Sequence, residues 1–133
     1  MTYNHFPAVP DTSGRACARA TLRYAHYDGT AWLTETVNSA WRETSLKLDS
    51  AGRPHISYLS SGGLQYAYHD GAHWRIVMVD SAESVGLYPS LALDIAGNPH
   101  ISYWDMANRD LKYAWGQEEV PVAVVYLPVV LKD

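Results

Sequence analysis

A chain that repeats itself folds as a stack of similar units, and this one repeats at a spacing of 45 residues. Ser45-Leu-Lys-Leu-Asp-Ser-Ala-Gly-Arg-Pro-His-Ile-Ser-Tyr58 returns as Ser90-Leu-Ala-Leu-Asp-Ile-Ala-Gly-Asn-Pro-His-Ile-Ser-Tyr103, a shift of 90 − 45 = 45. A unit of this size is one supersecondary element that cannot bury its apolar face alone, so neighbours must cover one another. Leu64-Gln-Tyr-Ala-Tyr-His-Asp-Gly-Ala-His-Trp74 has an upstream counterpart in Leu22-Arg-Tyr-Ala-His-Tyr-Asp-Gly-Thr-Ala-Trp32 and a shorter downstream one in Leu111-Lys-Tyr-Ala-Trp115, which makes three copies. They occupy about 6–43, 44–89 and 90–133 of a single array, 1–133. The first is degenerate: Asp11-Thr-Ser-Gly14-Arg15 echoes Asp49-Ser-Ala-Gly52-Arg53, but Ala16-Cys17-Ala18 replaces Pro-His-Ile.

Within a copy the apolar period is two. Leu46 and Leu48 alternate with Ser45, Lys47 and Asp49, and Leu64, Tyr66 and Tyr68 alternate with Gln65 and Ala67. Ala51-Gly52-Arg53-Pro54, Gly62-Gly63 and Asp70-Gly71 punctuate the runs, the last predicting a two-residue hairpin turn. The pattern predicts four short antiparallel strands per copy, near 45–49, 55–60, 64–69 and 74–79, and no helix. Alternation places Leu46, Leu48, Ile56, Leu64, Tyr66, Leu91, Leu93, Ile101, Leu111 and Tyr113 in the core.

Composition narrows the partners. With 47% hydrophobic residues the chain can bury a core, and a net charge of −4 with scattered Lys and Arg argues against nucleic acid. One cysteine, Cys17, forbids an intrachain disulfide. Met1-Thr-Tyr-Asn-His-Phe-Pro7 is not a secretory signal. The most apolar stretch, 120–131, is short for a membrane helix and broken by Pro121 and Pro128, so it is expected to form β structure pairing with a sheet edge.

Four-stranded units at this period, each with aromatic and Asp-Gly marks, describe β-propeller blades. The expected fold is all-β: β-propeller-type four-stranded antiparallel blades, about three of them, a partial or half propeller. The stretches SLALDIAGNPHISYWDMANRDLKYAW and LQYAYHDGAHWRIVMVDSAESVGLYPSLALD resemble the blades of a bacterial and archaeal repeat family of secreted or surface proteins grouped with the sialidase-like propellers. The resemblance spans about residues 20–116 and implies an extracellular or cell-surface location.

The motifs that invite chemistry read as structure. His55 and His100 recur at one position of two copies, too far apart to share an ion, and are expected to hydrogen-bond a turn carbonyl or the repeat's own Asp. His69 and His73 bracket a turn whose upstream copy has Tyr27 and Ala31. Asp49 and Asp94 open D-x-x-G turns and should accept backbone N–H bonds; one carboxylate per turn falls short of a calcium site. Asp28-Gly-Thr-Ala-Trp32 and Asp70-Gly-Ala-His-Trp74 partly match the sialidase Asp-box, itself a structural turn. The arginine cluster and acid/base pair that a sialidase needs are not assembled, since the seven arginines stand at non-equivalent positions. No catalytic residue, metal or cofactor is expected.

Ligand contacts in propellers favour the loops between the second and third strands and between blades. That places Trp41, Arg42, Glu43, Glu83, Tyr88, Trp104, Asp105, Asn108, Arg109 and Asp110 on the candidate binding face. Aromatic planes beside carboxylates and amides suit sugar rings. The chain reads as a non-catalytic, extracellular or surface module for binding or scaffolding. It is expected to self-associate, with a dimer closing a six-blade ring, or to be a fragment of a longer array. A lectin-like carbohydrate-binding propeller and the remnant of a sialidase-like glycoside hydrolase are the alternatives.

Overall fold

The structure, a computed structural model, describes the backbone of all residues except 1, 6–7, 11–15, 19, 41, 83–84, 118–119 and 126–133, and the side chains of 20–40, 43–82 and 85–116. Among the described residues there is no helix, and every sheet is antiparallel. β1 (Thr2–His5), β2 (Ala8–Pro10), β3 (Ala16–Ala18), β4 (Ala20–Tyr27) and β5 (Trp32–Ala40) precede two complete meanders. The first of these is β6 (Arg42–Leu48), β7 (Pro54–Ser60), β8 (Gly63–His69) and β9 (Trp74–Asp80). The second is β10 (Leu87–Leu93), β11 (Pro99–Asp105), β12 (Asp110–Gln117) and β13 (Val120–Val125). They form sheet I in the order β1-β4-β5, the hairpin β2-β3, sheet II as β6-β7-β8-β9 and sheet III as β10-β11-β12-β13. The apolar segment 120–125 therefore completes sheet III in its own chain, with Val125 opposite Tyr113 and Val124 opposite Ala114.

Register shows how deep the repetition goes. Ser57 faces Tyr66 and Tyr58 faces Gln65 in sheet II, as Ser102 faces Tyr113 and Tyr103 faces Lys112 in sheet III. In sheet I, Thr2 faces Tyr24 and Tyr3 faces Arg23, so β1 holds the place of β7. The echo at Asp11–Arg15 lies outside the described residues; on either side of it Pro10 of β2 faces Ala16 of β3, as Leu48 faces Pro54. Among the described residues sheet I has three strands, with none in the place of β6.

Each sheet has a forward face, carrying Leu22, Leu64 or Leu111, and a rear face. The forward face of sheet I packs Leu22 and Tyr24 against Ile56, Tyr58 and Ala67 on the rear of sheet II. The forward face of sheet II packs Leu64, Tyr66 and Val79 against Leu91, Ile101, Tyr103 and Ala114 on the rear of sheet III. The two seams form one continuous stack because period-two strands expose a different apolar set on each face.

Stacking corrects part of the expected core. Ile56, Leu64, Tyr66, Leu91 and Ile101 are buried, while Leu46, Leu93 and Tyr113 are half-buried. Leu48 is 55% exposed and Leu111 39% exposed. Leu48 lies at the end of β6, where among the described residues sheet I has no strand to cover it, whereas its equivalent Leu93 packs on sheet II. Leu111 occupies the forward face of sheet III, against which no sheet packs among the described residues, whereas its equivalent Leu64 is fully covered.

The turns differ from expectation in length. Asp28–Ala31 and Asp70–His73 are four-residue loops closed by Tyr27↔Trp32 and His69↔Trp74, not two-residue turns. An Asp carboxylate organises each: Asp70 Oδ1 accepts from Ala72 N at 2.8 Å and His73 N at 2.7 Å, and Asp28 Oδ1 accepts from Thr30 N and Ala31 N at 2.7 and 2.8 Å. Gly71 and Gly29 take φ near +100°, the left-handed region that favours glycine.

Candidate functional site

The meander topology gathers one end of sheets II and III into a single edge, formed by the starts of β6 and β10 and the β7–β8 and β11–β12 turns. Every described residue of the sequence-derived binding face lies there. Trp41 and Glu83 fall outside the described residues, as does the side chain of Arg42. Glu43 and Tyr88 occupy equivalent positions, each at a β-bulge that opens the first strand, with φ of 58° and 51°. The structure joins them, since Tyr88 N donates to Glu43 Oε2 at 2.6 Å. One step further, Leu91 N donates to Ser45 Oγ at 3.0 Å, tying β10 to β6.

Arg109, with φ of 57°, is the third non-glycine residue in the left-handed region among the described ones, and it closes the β11–β12 loop. Side chains rarely adopt this conformation, and all three examples fall on the same edge. Tyr88 is 72% exposed, Asn108 and Arg109 are exposed, and Trp104 and Asp110 are half-buried. Asp105 is not on the surface at all, being 0% exposed. It accepts from Asn108 N at 3.1 Å and Asn108 Nδ2 at 2.9 Å, and pairs with Lys112 Nζ at 3.1 Å. Asn108 is correspondingly engaged in holding that loop.

Asp105 belongs to a buried network that the sequence reading missed. Lys112 Nζ also reaches Asp80 Oδ2 at 3.2 Å, and Tyr103 OH donates to the same oxygen at 2.8 Å. The three ionic groups lie between sheets II and III, with side chains at most 7% exposed. Burial by itself raises the Asp105 carboxyl, but the bonds from Asn108 and Lys112 outweigh it and carry it below the ordinary carboxylate value. Burial likewise opposes the charge on Lys112, and the hydrogen bonds and charges of Asp105 and Asp80 reverse the sign and raise it. A signal was present in the repeats: Asn38, Gln65 and Ser60 change to Asp80, Lys112 and Asp105 at equivalent positions.

The recurrent histidines are struts. His55 Nε2 lies 3.1 Å from Asp49 Oδ2, and its Nδ1 bonds the Tyr66 hydroxyl. His100 bridges Asp94 Oδ2 at 3.2 Å and the Tyr113 hydroxyl in the same way. The expected aspartate partner is therefore the one found, and it links the first turn of each sheet to its third strand. The Asp carboxylates also collect backbone N–H groups: Asp49 Oδ1 takes Ala51 N and Arg53 N, and Asp94 Oδ1 takes Ala96 N and Asn98 N, each at 2.9 Å. The Asn98 amide, with help from His100, holds Asp94 at about 2 despite some desolvation. The His73 and Ala72 amides, then Arg75, drive Asp70 far below the carboxylate range. His69 Nδ1 accepts from Gly71 N at 3.1 Å within its own turn. Among the described residues no three His, Cys, Asp or Glu side chains converge to hold a metal ion, and no helix is long and apolar enough to cross a membrane.

No family model, curated protein or solved structure matches the chain.

Proposed function

We propose that this chain is a non-catalytic repeat module of the β-propeller type that binds or scaffolds, self-associates, and works outside the cell or at its surface. One observation carries the reading: the two complete meanders share their strand register and stack forward face on rear face, with first strands bonded side by side at Ser45–Leu91 and Glu43–Tyr88. A blade array is built by that relation. Asp49, Asp94, His55, His100 and Asp105 are engaged in turns, struts and the seam between sheets II and III.

The module role is tested with a panel of fluorogenic glycosides, sialosides included. The expected result is release no faster than in buffer; enzyme-dependent turnover that follows the protein through purification would replace the scaffold with a glycoside hydrolase.

A lectin-like reading is favoured by Tyr88, whose side chain is exposed and whose backbone N–H holds the Glu43 carboxylate at the same edge. An aromatic plane next to a hydrogen-bond acceptor suits a sugar ring. A glycan array read with the wild type and Tyr88→Ala tests it. Signal lost in the variant supports sugar binding at this edge, and signal equal in both removes the edge from consideration.

A further inference from the structure

The two ends of the stack carry complementary halves of a seam that the chain already uses once. At the seam between sheets I and II, Trp74 on the rear face of sheet II meets Tyr24 on the forward face of sheet I, edge to face at 5.7 Å. The equivalent of Trp74 on the rear face of sheet I is Trp32, opposite Tyr27 as Trp74 is opposite His69. Trp32 is 60% exposed and Tyr27 55% exposed, their rings 5.7 Å apart. At the other end, the equivalent of Tyr24 on the forward face of sheet III is Tyr113. It is flanked by Leu111 and Trp115, each 39% exposed, where sheet II has the fully covered Leu64 and the half-buried Tyr68.

We infer that the forward face of sheet III receives the rear face of sheet I from a second copy of the chain, with Trp32 of one copy set against Tyr113 of the other. The inference rests on the propeller-type reading and names the partner and the two faces. Both faces are used inside the chain wherever a neighbour exists: Leu22, Tyr24, Leu64 and Tyr66 are covered by a rear face that follows, and Ala67 and Ala114 by a forward face that precedes. Ala25 stands at the place of Ala67 and Ala114 in sheet I and is already buried within the chain, so the open part of this rear face lies at Tyr27 and Trp32. Among the described residues, the rear face of sheet I is the one not seated on a forward face of the same chain. Such a contact is heterologous, so it propagates unless rotation closes it, and two copies closing on each other make a ring of six sheets.

Sedimentation velocity on the purified full chain tests this with three samples: the wild type, Leu111→Glu and Trp32→Glu. Both substituted side chains are exposed within one chain, so the variants should keep the wild type's far-ultraviolet circular dichroism; Trp115→Ser and Tyr27→Ser serve if either fails to fold. The wild type is expected at twice the monomer mass and each variant at the monomer mass. An equimolar mixture of the two variants should recover a dimer, because the intact sheet I face of one meets the intact sheet III face of the other. A wild type that stays monomeric, variants that remain dimeric, or a mixture that stays monomeric would each overturn the pairing. A folded, monomeric wild type would leave the module reading to the glycoside and glycan measurements, which do not depend on association.

Discussion

The two seams of the stack have the same geometry and opposite chemistry. Between sheets I and II, Asn38 Nδ2 donates to Tyr58 OH at 2.9 Å and to Gln65 Oε1 at 3.3 Å, all neutral groups. Between sheets II and III, the same three positions hold Asp80, Tyr103 and Lys112, with Asp105 added where sheet II has Ser60. The tyrosine hydroxyl accepts from an amide in the first seam and donates to a carboxylate in the second. A buried polar position in a repeat is thus free to change only when its partners change with it, because a single replacement strands a donor or a charge away from water. The ionic version is also the more fragile, since the attraction between buried charges largely offsets their loss of hydration and the balance fails when one is removed.

That difference sets the largest expected effect. Lys112→Ala leaves Asp80 and Asp105 facing each other, 4% and 0% exposed at the side chain, and should cost about 3–5 kcal/mol in urea unfolding. Replacing the whole set with its counterparts in the first seam, Asp80→Asn, Asp105→Ser and Lys112→Gln, should recover most of the loss. A single Lys112→Ala change that costs no more than a surface substitution would mean that the charges are solvated and the seams equivalent.

Gly63 comes next because it anchors the same seam from the backbone. It has φ of +120°, and a Cβ built there would lie 2.1 Å from the carbonyl oxygen of Asp80. Sheet III closes the corresponding turn through a longer loop and places Asp110 at this position. Gly63→Ala should therefore cost about 2–3 kcal/mol from strain and displacement of β9. Asp110→Ala should be close to neutral, and equal losses in both would show that the two turns are the same structure.

The neutral seam predicts a smaller number. Gln65→Ala removes one weak acceptor and leaves the Asn38–Tyr58 bond in place, so unfolding should shift by about 1 kcal/mol. A loss as large as that of Lys112→Ala would remove the contrast on which the comparison stands.

How much of this could be read from residues follows the same division. The strands, their turns and the antiparallel class were legible because alternation and the D-x-x-G and Asp-Gly marks are local. The roles of Asp49, Asp94, His55 and His100 were legible because each acts within its own repeat. Leu48 and Leu111 were misplaced because alternation names a face without saying whether a neighbour covers it. Asp105 was read as a ligand group for a related reason: next to Asn108 and Arg109 it looks like loop, and only its partner Lys112, seven residues on, reveals the buried seam. Of the edge that holds Glu43 and Tyr88, their joining follows from the repeat spacing, but the left-handed backbone at both has no counterpart in residue type, since neither is Gly, Asn or Asp.

The smallest effect separates the seams by pH. Asp105 is held below its ordinary value, so its contribution is complete above the unfolded carboxylate pKa and is lost as pH falls through the folded one. The turn carboxylate Asp94, at about 2, loses its contribution in the same acid window and forms a background common to every variant that keeps it. The Asn38, Tyr58 and Gln65 set of the first seam has no carboxylate to lose there. Subtracting the acid profile of the triple Asn, Ser and Gln protein from that of the wild type should thus leave a residual loss below about pH 4 that belongs to the second seam. On the alkaline side the seams converge. Lys112 is raised above 10.5, and burial raises Tyr58 above 10.0 with the Asn38 bond opposing, so each contribution is complete below the unfolded value and lost as pH climbs past the folded one. The triple protein should keep the Tyr58 part of the alkaline loss, and adding Tyr58→Phe should remove it. If the acid profiles of wild type and triple protein coincide, Asp105 does not carry its charge into the fold, and the second seam is ionic in name only.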